Sequence, residues 1–342
     1  MLVNINNLYD FFRSLPRKPP QTMAELLHKS IDLASALTPA QWCQSFFALS
    51  TTVVLVVQAL PQDVRSALMD YGARRPNDGK PGHEKEEDKG QILGGLRSFL
   101  KNLTEYGQVP HSWFLHFYII SVFSSGFWAW QYLTRGSVLR KIATWQDQAG
   151  GPSMTLEQVY IAWLFMALQG LRRLYESFYV FKQGSSPMWF IHWALGIAYY
   201  TTIGISVWIE GSSAIMVSWD SPNQPLRIPR RVPSALALYI VAYLKQNQCH
   251  RHLASLKKYT LPSEGWFQYL VCPHYTAECL VYVAIAWVAA PPGQLLNKTV
   301  VSGIVFVAVN LGATAKGTKA WYANKFGADK VADRWIMIPP VY

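Results

Sequence analysis

A chain of 342 residues that is 51% hydrophobic, 14% aromatic and only 15% charged is too apolar and too poor in charge for an ordinary soluble domain. Its formal net charge of +11 would suit a nucleic-acid binder, but Lys and Arg gather in the polar stretches between apolar segments and make no basic helical face, which excludes that class. A helix needs about 20 mostly apolar residues to cross a bilayer, so the apolar segments read as a polytopic, all-α transmembrane bundle of about seven helices.

Residues 1–40 mix Asn, Arg and three prolines without a continuous apolar run, and read as an N-terminal arm and not as a cleaved signal peptide. The membrane domain, 41–342, opens with a span at 42–60. A polar insertion at 62–107, rich in Lys and Glu, follows it and reads as a solvated loop. Further spans are predicted at 113–132, 156–181, 188–209, 234–243 with its flanks, 271–290 and 299–315. Trp42, Trp113, Trp128, Trp130, Tyr132, Trp189, Trp208 and Trp287 crowd the segment ends, where amphipathic rings favour the headgroup level.

If these helices alternate, one side holds the 61–110 stretch, Lys182, the 244–265 loop and the C-terminal tail. That side carries more Lys and Arg and is expected to be cytosolic, with a cytosolic C-terminus. The sequons at Asn102 and Asn297 then fall on opposite sides, one cytosolic and one too close to the membrane, so neither is expected to carry glycan.

Few motifs survive scrutiny. No GxGxxG follows a strand, and the run from Gly312 to Lys319 has Lys and Thr exchanged relative to a phosphate-binding loop. Its small residues suit close helix packing instead. Cys43, Cys249, Cys272 and Cys279 lack zinc spacing and read as buried thiols. His250 and His252, two apart, point away from one another on a helix, so no metal is expected.

Polar residues inside apolar segments are more informative, because ionisable groups at membrane depth usually face a polar cavity. His116, Arg172, Arg173, Glu176, His192, His274, Glu278 and Asn310 all fall in the same half of their helices. That convergence predicts one chamber. The bland alternative is interhelical pairing, for which Arg172 and Glu176 at i,i+4 are suitably placed. The sharpest local pattern runs from Gly265 to Glu278, where His274 and Glu278 share a face at i,i+4 and Pro273 marks a helix start or kink. A basic stretch precedes it, Lys245, His250, Arg251, His252, Lys257 and Lys258, suited to phosphates.

The run from Gly265 to Glu278 resembles the signature of the steroid 5-alpha-reductase family. The tail from Trp321 to Phe326, with Arg334 to Pro339 and a final Tyr342, is similar to that family's C-terminal ending. Two upstream stretches, Val109 to Val122 and Leu171 to Ser177, resemble its polyprenol reductase branch. The resemblance implies a multi-helix fold in the endoplasmic reticulum membrane, NADPH as cofactor and a long-chain polyprenyl lipid as substrate. By position it nominates Gln246, His250, Tyr259, His274, Tyr275, Glu278, Tyr322 and Arg334 for the cofactor. The chain departs from the steroid-reducing members at Thr260, Thr314 and Thr318, which are basic there, at His274, where Asn is common, and at Phe117, where they carry a Glu.

Chemistry narrows the substrate. A hydride adds to a carbon–carbon double bond when a conjugated carbonyl accepts the electrons, and an allylic alcohol offers no such sink, so polyprenal is preferred to polyprenol. The developing oxyanion needs a donor and the α carbon needs a proton. His116, Tyr175 and Glu176 are the sequence's candidates for those roles. Two other classes stay open, a membrane methyltransferase using S-adenosylmethionine and a non-enzymatic lipid transporter or scaffold.

Overall fold

The computed structural model describes residues 36–61, 65, 107–181, 187–221, 225 and 227–342. The chain divides into two units, Met1–Thr38 and Pro39–Tyr342, and nearly all described residues belong to the second. The 62–107 insertion, apart from Arg65 and Gly107, lies outside them, as does Asn102.

The second unit is a helical bundle. Its helices are α1 (Pro39–Ala59), α2 (Leu115–Leu133), α3 (Ser137–Gln148), α4 (Leu156–Tyr179), α5 (Phe190–Ser206), α6 (Ser212–Asp220), α7 (Val232–Ser255), α8 (Pro273–Val288) and α9 (Lys298–Phe326). All seven apolar segments are therefore helical. Among the described residues three stretches are long and apolar enough on their own to cross a membrane: Pro39–Ala59, Phe190–Asp220 and Lys298–Phe326. The others fall short for identifiable reasons. α2 is interrupted by Ser, Gly and Gln, α4 carries Glu157, Arg172, Arg173 and Glu176, and α8 has only 16 residues.

Local chemistry fixes the helix starts. Thr155 and Gln158 form a reciprocal capping box on α4, Pro273 occupies the first turn of α8, and the Asn297 side chain accepts the Val300 N–H to cap α9. Asn297 is wholly buried, so its sequon has no room for a glycan. All four cysteines are buried, and no disulfide joins them.

Because lipid is as apolar as leucine, association between such helices rests on close packing and interhelical hydrogen bonds. Gly170 and Gly204 let α2 approach α4 and α5, since a methyl at either would stand 2.6 or 2.3 Å from the hydroxyls of Ser121 and Ser124. α1 packs on α9, α7 on α8, and α8 on α4 and α9. One end of the bundle is tied by polar contacts: Gln158 donates to the carbonyls of Val288 and Ala290, both at 2.8 Å, and Glu210 accepts from the Thr299 hydroxyl at 2.6 Å. α4 begins and α8 finishes at that end. The C-terminal half of α4 and the first turns of α8 consequently meet at the other.

There the chain forms a small antiparallel ribbon, β1 (Gln108–Pro110) on β2 (Pro187–Trp189), with Val109 opposite Met188. It ties the approach to α2 to the start of α5. Gly107 closes the ribbon at φ +74°, with its carbonyl accepting the Phe190 N–H and the Phe190 ring where a side chain would be. The tail also runs to this end. Trp335 and Ile336 bond to the backbone of Tyr269, Val271 and Cys272, immediately before α8, and Thr276 donates to the Met337 carbonyl.

Candidate active site

Helices α2, α4, α5, α7, α8 and α9 enclose a cavity of about 450 Å³, within the range of about 300–1,000 Å³ usual for ligand pockets. Its walls differ in character. Phe114, Phe117, Leu195 and Gly196, at the adjacent α2 and α5, are apolar; Arg173, Gln246, His250, His274 and Glu278, on α4, α7 and α8, are polar; α9 adds Phe306 and Val307 together with Asn310. Of the eight polar residues expected to share one chamber, Arg173, His192, His274, Glu278 and Asn310 line this cavity, and His116, Arg172 and Glu176 do not.

The polar side is built on the last turns of α4. Arg172 donates to the Tyr243 carbonyl at 2.7 Å and to the Gln169 amide oxygen at 2.7 Å, and it also bonds Gln246. The Gln246 amide bonds the Glu278 carboxylate, which accepts Gln169 as well at 3.3 Å. Glutamines thus join α4, α7 and α8 where a third charge would have gone unpaired.

Arg173 and Glu176 make the second half of this wall. Glu176 is completely buried; its Oε2 accepts Arg173 at 2.6 Å, its Oε1 accepts Asn247 at 2.7 Å, and Arg172 stands 3.5 Å away. The His250 Nδ1 lies 2.8 Å from Oε2. The same Nδ1 lies 2.9 Å from the Arg173 guanidinium; the carboxylate only accepts and the guanidinium only donates, so Nδ1 stands between an acceptor and a donor. Arg173 extends its other amino group to the Tyr118 hydroxyl, with its guanidinium carbon 4.7 Å from the ring centroid. Breaking such a buried pair by removing one partner costs about 3–5 kcal/mol.

Five of the eight residues nominated for a cofactor, Gln246, His250, His274, Tyr275 and Glu278, line the cavity. Tyr259, Tyr322 and Arg334 lie elsewhere, on a basic surface next to it. Tyr259 is half exposed at φ +63°, with the Lys325 and Lys258 ammonium groups 4.7 and 5.0 Å from its ring. Arg334 donates to the Pro262 carbonyl at 2.7 Å. Tyr322 packs with Val271, Cys272 and Ala315, as does Tyr275, so Tyr275 joins this surface to the cavity.

The three candidates for chemistry separate by helical phase. Residues 114, 115, 117 and 118 face the cavity from α2 and its approach, whereas His116 turns aside and accepts the Trp193 indole N–H at 3.2 Å. Arg173 and Ser177, four apart, line it from α4; Tyr175 lies between them on the outer face, half exposed and 5.0 Å from Tyr179. Glu176 stands behind the wall and reaches the cavity only through Arg173 and His250. Tyr118 and Gln169 were not singled out for the site from sequence. An i, i+4 reading of the face containing Phe114 would have found the tyrosine, but the uncharged glutamine gives no signal.

Two observations test whether a nucleotide cofactor fits. The Nδ1 of His274 is buried without a partner among the described residues, beside the cavity, and a buried polar atom left so asks for a ligand group. α8 also begins at the cavity with no side-chain cap on its first turn, where backbone N–H groups and the helix dipole favour oxygen acceptors. Together with the lysines beyond Tyr275, the donor set fits a ligand combining amide and phosphate groups.

Residues 213–342 match the family 3-oxo-5-alpha-steroid 4-dehydrogenase. Polyprenal reductase 1 of Oryza sativa subsp. indica is 26% identical over 284 residues, covering 68% of this chain and 79% of that protein. Polyprenal reductase of Xenopus tropicalis is 28% identical, covering 65% and 77%, and that of Homo sapiens 28% identical, covering 52% and 62%. The chain is thus similar to these reductases over about half to two thirds of its length, and its residues 213–342 are similar to the 3-oxo-5-alpha-steroid 4-dehydrogenase family.

Proposed function

We propose that this chain is an NADPH-dependent oxidoreductase of the endoplasmic reticulum membrane that saturates the α-isoprene double bond of polyprenal on the route to dolichol, in support of protein glycosylation. The observation that carries this reading is one cavity with an apolar wall and a charged, hydrogen-bonded wall, in a chain similar to polyprenal reductases along most of its length.

The apolar wall suits the first isoprene units, and the three membrane-length helices support a bilayer setting in which the rest of a long prenyl chain would lie in lipid. NADPH would be held by Gln246, His250, His274, Tyr275 and Glu278 in the cavity, and by Tyr259, Tyr322, Arg334 and the neighbouring lysines outside it. When bound, NADPH supplies the hydride. The chain's own residues orient the aldehyde, keep bulk water from the reacting carbons and offer donors where negative charge develops on the carbonyl oxygen. The polar wall keeps its own balance: Arg172 and Arg173 are matched by Glu176 and Glu278, so the site can meet new charge without reorganising. A cytosolic C-terminus, from the distribution of Lys and Arg, would place the basic surface where NADPH is found.

A methyltransferase and a lipid carrier are both less well supported, since the similarity is to reductases throughout. The test supplies polyprenal, polyprenol and a steroid enone separately to membranes containing the protein, with NADPH. Oxidation of NADPH with polyprenal, and not with the other two, is expected. Turnover of the steroid enone alone, or of none of them, would overturn the assignment.

A further inference from the structure

We infer that the Tyr118 hydroxyl is the acid that meets the substrate's carbonyl oxygen, with Arg173 and Glu176 as its positioning residues; this rests on the reductase reading above. Tyr118 is buried on α2 and lines the cavity. Arg173 is its one hydrogen-bond partner among the described residues, and Arg173 can only donate. The guanidinium therefore occupies the acceptor side of the phenol oxygen and leaves the O–H proton for a group inside the cavity.

The support behind it is unusually complete. Arg173 is fixed by Glu176 at 2.6 Å, and Glu176 by Asn247 at 2.7 Å and His250 at 2.8 Å. Three groups on two helices thus hold one guanidinium against one hydroxyl. A cation so placed also stabilises the phenolate that remains after the proton leaves. Glu278 cannot fill the role as readily, because one of its oxygens already takes Gln246 and Gln169. Tyr200 is the nearest rival, lining the cavity with its ring 5.8 Å from that of Tyr118.

The step balances without a further reagent. Hydride bonds to the β carbon as the C=C π bond breaks, and its electron pair moves through the α carbon to the carbonyl oxygen. The Tyr118 O–H bond then breaks and the oxygen takes the proton; as a proton from water adds at the α carbon, the enol O–H bond breaks, the aldehyde C=O re-forms and that proton returns to the Tyr118 phenolate. The sum is one hydride and one proton added across the double bond.

Tyr118→Phe, Tyr200→Phe and Glu176→Gln in the full-length protein test this, each assayed for NADPH binding and for polyprenal reduction across pH. The Tyr118→Phe variant should bind NADPH normally and lose about 10²–10⁴-fold in kcat, the usual worth of a placed acid, with KM for polyprenal little changed. Glu176→Gln should lose less, and should move the pH profile of kcat, which a merely structural role would not. Wild-type turnover by Tyr118→Phe, or a comparable loss confined to Tyr200→Phe, would overturn the assignment. If Tyr118→Phe does not accumulate, Glu176→Gln decides: an unchanged kcat and pH profile contradicts the relay. A wild type inactive on polyprenal would sink the reductase reading itself and this inference with it.

Discussion

A methyl group on Gly196 would stand 2.5 Å from the Phe117 ring, so the apolar wall keeps its shape because α5 presents no side chain there. Phe117 in turn lies over Tyr200, ring centroids 6.1 Å apart and nearly parallel. Gly196→Val should push Phe117 into the cavity at a cost of about 1–3 kcal/mol in stability, and should raise KM for polyprenal more than it weakens NADPH binding. Parallel titrations of the two would show this, and equal losses would mean that the wall is not the prenyl side. At this scale the sequence is legible only in part. Charge inside an apolar helix marked Arg173, Glu176 and His274, but two residues, about 200° of helical phase, separate Tyr118 from His116, and nothing in a single helix says which face has neighbours.

Elements were easier to read than their phases. All seven apolar segments are helical, although among the described residues only three stretches are long and apolar enough on their own to cross a membrane. α3 escaped notice since Arg140, Lys141 and Asp147 break its apolarity, and only Leu139 and Ala143 are buried. The ribbon of three residues a strand carries no periodicity to detect. The tail's resemblance to a family ending did not reveal its position. Met337 is almost fully buried, and its N–H and that of Ile338 both bond the Tyr342 carbonyl, at 2.9 and 2.7 Å. Burial raises the pKa of the Tyr342 phenol, which keeps it neutral while its ring covers Gly312. Deleting residues 338–342 should therefore uncover Met337 and loosen the start of α8. We expect a loss of about 2 kcal/mol or more, comparable to emptying a buried Met site, together with weaker NADPH binding. Thermal unfolding in detergent and a cofactor titration would check it; unchanged values in both would leave the tail without a part in the site.

For the whole molecule, the prediction that polar residues of distant helices share one chamber proved the most productive. Burying ionisable groups at membrane depth is expensive enough that they collect where they can be paired or solvated, and Arg172, Arg173, Glu176 and Glu278 do so around Gln246 and His250. What the helices could not disclose is which members of the chamber wall face inward and which, like Glu176, stand behind. The central claim is that this wall directs reduction to the carbon–carbon double bond and not to the carbonyl. Supplying NADPH deuterated on its transferable position, then locating the label in the lipid product, tests it most directly. Deuterium at the β carbon of the α-isoprene unit is the expected result, and deuterium on the former aldehyde carbon would contradict it.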